Sequence, residues 1–225
     1  PGPVLLELPE DIAAENTDST NLIKPHERFY AVAGEQVIAE AVSAIKSASK
    51  PLVLLGAGAN RKEARRAISE FIKLTEIPFC NTQMGKGVVD ESSDFFLGTA
   101  ALSDKDYLHD YIKVADLIVN IGHDVVEKPP FFMEHGGATV IHVNYKSAQV
   151  DQVYFPQIEV VGDIALSVDA LGTLIDKKLP LNLKDFETVR DHVKEKIFQT
   201  DDNTEFPMKP QSIVSEIRKQ MGYHD

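Results

Sequence analysis

The chain has 225 residues, 43% of them hydrophobic and 26% charged, and a formal net charge of −12. That balance suits one sizeable α/β domain with some flanking sequence and argues against disorder. The acidic surface repels phosphate backbones, so no nucleic acid and no anionic membrane is an expected partner, and no apolar run approaches the ~18 residues of a membrane span.

The elements follow in chain order. Residues 1–9 read Pro-Gly-Pro-Val-Leu-Leu-Glu-Leu-Pro, a short strand between prolines with no preceding element to pair with. They are expected to close a preceding domain, with residues 13–33 as a long connecting segment. A helix is expected over 34–48, where Val37, Ile38, Ala41, Val42 and Ile45 share a face. Leu52–Leu55 is a continuous apolar strand, followed by a helix over 61–75 with Ala64, Ala67, Ile68, Phe71 and Ile72 inward. A short strand is expected over 77–80; Cys80 there reads as a small core residue, in keeping with a reducing, cytoplasmic setting.

A helix over 104–114 is expected next, and then strands over 117–120, 139–143 and 158–161. The helix over 163–175 offers Ile164, Leu166, Val168, Leu171 and Leu174 to the core. Buried strands alternating with helices imply an open, doubly wound parallel sheet of about six strands, Rossmann-like, with helices on both faces. Beyond it, a helix carrying Phe186, Val189, Val193 and Ile197 leads through a polar linker to a last helix. That helix has Pro210 in its first turn, an apolar stripe of Ile213, Val214, Ile217 and Met221, and Gly222 as its cap. The expected organisation is therefore 1–33 as domain end and linker, 34–178 as the nucleotide-binding-like domain, and 179–225 as helical linker and start of a further domain.

Gly56-Ala57-Gly58-Ala59-Asn60 follows the first strand directly. Such a glycine turn lets a backbone approach a phosphate, and the helix behind it adds N–H groups and a positive dipole end. Asn60 and Glu63 have capping-box spacing. The turn alone is compatible both with a phosphate site and with a ligand-free strand-to-helix turn. The third glycine of the dinucleotide fingerprint is replaced by Arg61, and Asn81 and Thr82 stand where a ribose-binding acid would follow the second strand, which disfavours an ordinary NAD dehydrogenase. Arg61, Lys62, Arg65 and Arg66 are expected to form a solvated basic face, the alternative being contact with an anion.

Further glycine or polar turns follow at Thr82-Gln83-Met84-Gly85-Lys86-Gly87, Gly98-Thr99, Gly122-His123-Asp124, Asn144 and Gly162-Asp163. Together they outline a crevice along one sheet edge, suited to an extended ligand such as a dinucleotide. His123 and Asp124 lack a nucleophile beside them, and the histidines fall at no metal-ligand spacing. No catalytic residue and no metal ligand is expected in the chain.

Taken in order, these segments resemble the thiamine-diphosphate enzymes of acetolactate synthase (acetohydroxyacid synthase) large-subunit type. Residues 2–11 resemble the end of their pyrimidine-binding domain. Residues 51–60, Met84-Gly85-Lys86-Gly87, Gly98-Thr99-Ala100, 115–122, 140–143 and 153–163 resemble the central domain, and Met208-Lys209-Pro210-Gln211 the lead-in to the diphosphate-binding domain. The resemblance implies a parent enzyme for decarboxylative condensation of pyruvate with a 2-keto acid. It implies thiamine diphosphate and Mg2+ bound outside this chain, 2-keto acids as substrates, and a homo-oligomer. The central domain would supply stability and subunit contacts, and FAD or another adenine nucleotide in some branches.

FAD-containing synthases carry an Arg-Phe-Asp-Asp-Arg-like run after the strand glycine. Here Gly122-His123-Asp124-Val125-Val126-Glu127-Lys128-Pro129-Pro130 stands instead, nearer the branch without FAD. If FAD binds, it is expected along Gly56, Gly58, Thr82, Met84, Gly85, Gly98, Thr99, Gly122, Asp124, Asn144 and Gly162. Another thiamine-diphosphate carboligase or oxidase remains open as parent. A stand-alone FAD- or NAD-binding module is the competing class; the glycine-lined crevice favours it, and the form of the two chain ends and the absence of zinc cysteines speak against it.

Overall fold

The computed structural model describes residues 3–18, 24, 31–100, 108–123, 127, 136–150, 154–198 and 206–222. A single turn α1 (Glu10–Ala13) precedes α2 (Glu35–Ser47). Strand β1 (Pro51–Leu55) runs through a 3-10 turn (Ala57–Ala59) into α3 (Lys62–Thr75). Then come β2 (Phe79–Thr82), β3 (Phe96–Ala100), α4 (Leu108–Ile112) and β4 (Leu117–Ile121). Strands β5 (Thr139–Asn144) and β6 (Ile158–Val161) precede α5 (Ile164–Ile175), α6 (Lys184–Phe198) and α7 (Pro210–Gln220).

The strands make one six-stranded sheet in the order β3-β2-β1-β4-β5-β6, every pair parallel. This is the doubly wound order, and the direction of winding reverses between β1 and β4. Side chains alternate across a strand, so each central strand feeds both faces. Val53 and Leu55 of β1 join Val119, Ile121, Ile141 and Val143 in a core shared with α2, α3 and α5. Leu52 and Leu54 face the other way, with Ile118, Val140 and Cys80, towards α4 and α6. Cys80 is thus a core side chain, as expected. Each fully buried side chain of this kind contributes roughly 1.5–3 kcal/mol relative to exposure.

Polar groups tie the helices to this sheet. The Asp116 carboxylate accepts from the N–H groups of Ser49 (2.7 Å) and Lys50 (2.9 Å), pinning the entry of β1 beside β4. Lys50 pairs with Asp185 of α6 at 2.5 Å, and Arg66 of α3 with Asp169 of α5 at 2.7 Å. Tyr111 meets Phe186 edge-on at 5.7 Å. Burial, and after it the charges of Asp185 and Asp116, push the Tyr111 hydroxyl up to about 12.

Several expectations are corrected. Residues 4–8 form no strand and are exposed, because no neighbouring strand stands beside them among the described residues. The second strand starts at Phe79 and runs on to Thr82; Pro78 lies before it. Gly98-Thr99 lies inside β3, an edge strand that is only partly buried and therefore carries no continuous apolar run. On α5 the inward stripe is Ile164, Val168, Leu171 and Ile175, which leaves Leu166 and Leu174 exposed. Residues 166 and 168 sit about 200° apart around a helix, so both cannot face one core. Helix α7 ends at Gln220 and is capped by Met221 in an extended conformation, not by Gly222. The first part of the helix expected over 104–114 falls outside the described residues, as do 199–205 of the polar linker.

Phe71 is buried between α3 and the sheet. Phe71→Ala is expected to lower unfolding free energy by about 3–5 kcal/mol in urea titration, because the cavity it leaves lies in a close-packed layer.

Candidate functional site

In a doubly wound sheet the ligand crevice opens outside the carboxyl ends of the strands, at the reversal of strand order. Here that point lies between the ends of β1 and β4, where the turns starting at Gly56 and Gly122 meet. The two turns are bonded to each other. Gly56 N–H donates to the carbonyl of Ile121 (2.9 Å) and Gly58 N–H to that of Gly122 (2.7 Å). Gly122 sits at φ 73°, and a Cβ there would stand 2.2 Å from the Ala59 nitrogen. A Cβ on Gly58 would stand 2.9 Å from Gly122 Cα, and one on Gly85 would fall 2.0 Å from the Leu55 carbonyl oxygen. These glycines are required because backbone meets backbone.

The turn's N–H groups can be accounted for one by one. Gly56 and Gly58 donate as described. Ala59 donates to the carbonyl of Gly56, Asn60 to that of Ala57 and Arg61 to that of Ala59, at 3.1, 3.1 and 2.9 Å. Ala57 N–H donates to Glu127 Oε1 at 3.1 Å, and the Thr82 hydroxyl donates to the same oxygen. The Glu127 side chain is 4% exposed, and its Oε2 lies 4.0 Å from His123 Nδ1. A Cβ on Gly56 would come within 2.6 Å of Oε2. Every N–H from Gly56 to Arg61 is therefore directed at a group of this chain.

The other expected positions divide. Thr82 and Gly85 join Gly56, Gly58 and Gly122 at the switch point; Thr82 Oγ1 also accepts from Gly85 N–H at 3.1 Å. Met84 is exposed, and its carbonyl together with that of Lys86 receives the Asn60 amide at 3.5 and 3.3 Å. Asn60 thus bridges two loops and makes no capping box; Arg61 stands at the cap position of α3 without a side-chain bond. Thr99 is drawn towards the β2 loop by Lys86 Nζ at 3.2 Å, while a Cβ on Gly98 would meet the Leu108 side chain at 3.1 Å. Asn144 donates to the His123 carbonyl at 2.7 Å, holding the β4 and β5 exits together. Gly162 lies against 31–33, whose Ala31 carbonyl accepts from Asp163 N–H at 2.7 Å. Asp124 lies outside the described residues. The positions form a row along the edge, but only the cluster at β1, β2 and β4 converges.

Arg66 does not face the crevice: Asp169 and Glu70 hold it at 2.7 and 2.6 Å. The Asp169 hydrogen bond and charge, with Glu70, raise its pKa above the ordinary value. Arg61 stacks over the Tyr145 ring at 5.5 Å.

Besides Glu127, two groups went unread in the sequence. Glu91 accepts from Asn81 Nδ2 (2.9 Å), Lys86 Nζ (2.8 Å) and Gly87 N–H (3.3 Å), which ties the β2 loop. Partial burial pushes its carboxyl up, but Lys86 by hydrogen bond and charge, with Asn81 and Gly87, outweighs this and holds it below the usual range. The second group is a buried chain on the other face of the sheet. His142 Nε2 lies 3.0 Å from the Lys146 carbonyl, which only accepts, so Nε2 carries the proton. Nδ1 then accepts from the Tyr154 hydroxyl at 2.7 Å, and that hydroxyl accepts from Asn120 Nδ2 at 3.0 Å. Among the described residues no group of three His, Cys, Asp or Glu could hold a metal ion.

A family model described as thiamine pyrophosphate enzyme, central domain, matches residues 38–171. The acetolactate synthase large subunit of Porphyra purpurea is 30% identical over 182 residues, covering 78% of this chain and 31% of its own length. The acetolactate synthase of Bacillus subtilis is 28% identical over 170 residues, 75% of this chain and 30% of its own. The glyoxylate carboligase of Escherichia coli O157:H7 is 23% identical over 231 residues, 99% of this chain and 39% of its own. The chain spans about a third of the length of the curated relatives it matches.

FAD, left open by the resemblance, does not fit this arrangement. The glycines that would let a diphosphate approach are filled by Gly122 and Glu127, and the turn donors are already directed at those groups.

Two outcomes are expected of this region. Gly122→Ala should destabilise the fold by more than about 4 kcal/mol, read as loss of cooperative unfolding or of soluble protein, because neither Ala59 nor Gly58 can withdraw. For His142, burial lowers the pKa below 6.5 against the opposing effects of the Lys146 carbonyl and Glu159. The unfolded chain then binds the proton more readily than the folded one. The stability at stake is fully present above the unfolded value and is lost as pH falls through the folded value. Urea midpoints measured from about pH 7.5 to 5.5 should fall more steeply for the wild-type chain than for His142→Gln.

Proposed function

The chain belongs to the central-domain family of thiamine pyrophosphate enzymes, and from that premise we propose that it is the central scaffold of an acetolactate synthase-type enzyme. The parent would join pyruvate to a second 2-keto acid with loss of carbon dioxide, as a transferase. Thiamine diphosphate supplies the electron sink for such a decarboxylation. In this reading the cofactor and Mg2+ sit in domains flanking this chain, and no residue here touches the reacting atoms. The observation that carries the reading is the closed switch point: a sheet with the winding order of a cofactor domain whose turn donors are spent on its own groups. FAD therefore has no part in it, and a stand-alone FAD- or NAD-binding module is disfavoured for the same reason.

The domain division of 1–33, 34–178 and 179–225 belongs to the same proposal. It is supported by apolar side chains left exposed at both ends: Val4, Leu5, Leu6 and Leu8, and on α7 Ile213, Val214, Ile217 and Met221. In the parent these would pack on the flanking domains and on other subunits of a homo-oligomer. No helix among the described residues is long and apolar enough to cross a membrane. A cytoplasmic enzyme agrees with the one cysteine lying buried in the core.

The test is an assay of the full-length parent with thiamine diphosphate and Mg2+, offering pyruvate or glyoxylate as sole 2-keto acid. Acetolactate from pyruvate is expected. A product from glyoxylate alone, in keeping with the relative named glyoxylate carboligase, would replace the acetolactate assignment. No decarboxylation of either acid would overturn the carboligase reading.

A further inference from the structure

We infer that Glu127 is a built-in anionic occupant of the switch-point crevice, its carboxylate standing where a dinucleotide-binding sheet of this order receives a diphosphate, so that the domain is closed to FAD and NAD. The inference holds whichever reaction the parent catalyses.

The geometry carries it in three steps. In dinucleotide-binding sheets the first turn presents N–H groups to a diphosphate, and its glycines remove the Cβ atoms that would bar the approach. In this chain the same two features serve a carboxylate. Ala57 N–H, in the middle of the Gly56–Gly58 turn, donates to Glu127 Oε1 at 3.1 Å, and Glu127 Oε2 takes the space that a Cβ on Gly56 would need, 2.6 Å away. Glycine at 56 is thus required by two close approaches, the Glu127 carboxylate at 2.6 Å and the Gly122 carbonyl oxygen at 2.7 Å.

The carboxylate is also provided for as a buried anion must be. A charge taken out of water has to be hydrogen-bonded. Glu127, with its side chain 4% exposed, has the Ala57 N–H and the Thr82 hydroxyl on one oxygen and the His123 ring nitrogen 4.0 Å from the other. Thr82 comes from the end of β2, Ala57 from the exit of β1, and Glu127 from beyond β4. One carboxylate therefore joins the three strand ends that would otherwise line the crevice.

Finally, a diphosphate entering here would meet a negative group already on its donor and no spare turn N–H from Gly56 to Arg61. Of the cations at the start of α3, Arg61 lies over Tyr145, and Arg66 is held by Asp169 and Glu70.

The test uses the full 225-residue chain. Wild-type protein is titrated with FAD by flavin fluorescence, and with ADP and inorganic pyrophosphate by calorimetry, each to about 1 mM, the concentration that detects even millimolar affinity. Neither FAD nor either anion should give a saturating signal. Glu127→Ala, which removes the occupant and exposes the Ala57 N–H, should bind pyrophosphate and ADP at least about tenfold more tightly than wild type. Glu127→Ser, which leaves a small hydroxyl for the same N–H, serves if the alanine variant does not fold; it should gain anion binding in the same sense. Saturable FAD or ADP binding by the wild-type chain would overturn the inference while leaving the acetolactate reading standing. So would a folded Glu127 variant that gains no affinity for either anion. A parent that makes no acetolactate, in turn, would leave this inference untouched.

Discussion

The structure depends on how closely the exits of β1 and β4 approach each other. These neighbours wind away in opposite directions, so both following turns must clear the same small space. They do so because Gly58 donates to the Gly122 carbonyl at 2.7 Å and Gly122 adopts φ 73°, with its α-carbon against Gly58 and Ala59. No side chain larger than hydrogen fits there. This contact sets the start of α3, since the 3-10 turn Ala57–Ala59 is hung from it, and α3 in turn positions α5 through shared burial and the Arg66–Asp169 pair.

Closing the switch point in this way separates the fold from the ligand chemistry often found on it. A doubly wound sheet places strand ends, glycines and helix N-termini in one row whatever its use. Whether the row binds a nucleotide is decided by where the donors point. Here they point inward, to Gly122, to neighbouring carbonyls and to Glu127, and the loops are stitched across the edge by Asn60, Asn144 and the Lys86–Thr99 bond.

The opposite face of the sheet carries a second kind of order. Asn120, Tyr154 and His142 form a directed chain of hydrogen bonds that fixes the imidazole tautomer and joins β4 and β5 to the segment before β6. Burial pushes the Tyr154 hydroxyl up and the His142 imidazole down, so both groups stay neutral. Neutral groups are the ones a buried network can hold without a counter-ion.

Much of this was legible in the amino-acid sequence. The apolar runs of β1, β4, β5 and β6 and the one-sided faces of α2 and α3 were readable because burial on both sides, or on one stripe, writes itself as hydrophobic spacing. The sheet class and the glycine turns followed from the same spacing. β3 was not readable, because an edge strand needs few apolar residues, and Leu166 and Leu174 were misplaced because apolar content does not say which side of a helix meets the core. The sequence by itself determined that a doubly wound sheet with glycine turns at its strand ends would form. Only the tertiary structure decided what those glycines accommodate. A glycine records that something comes close, but the partners lie far along the chain: the Gly122 backbone for Gly56 and Gly58, and, on the Ala57 between them, the Glu127 carboxylate 70 residues further on. It reaches Ala57 only because the parallel pairing of β1 with β4 brings both strand exits to one edge.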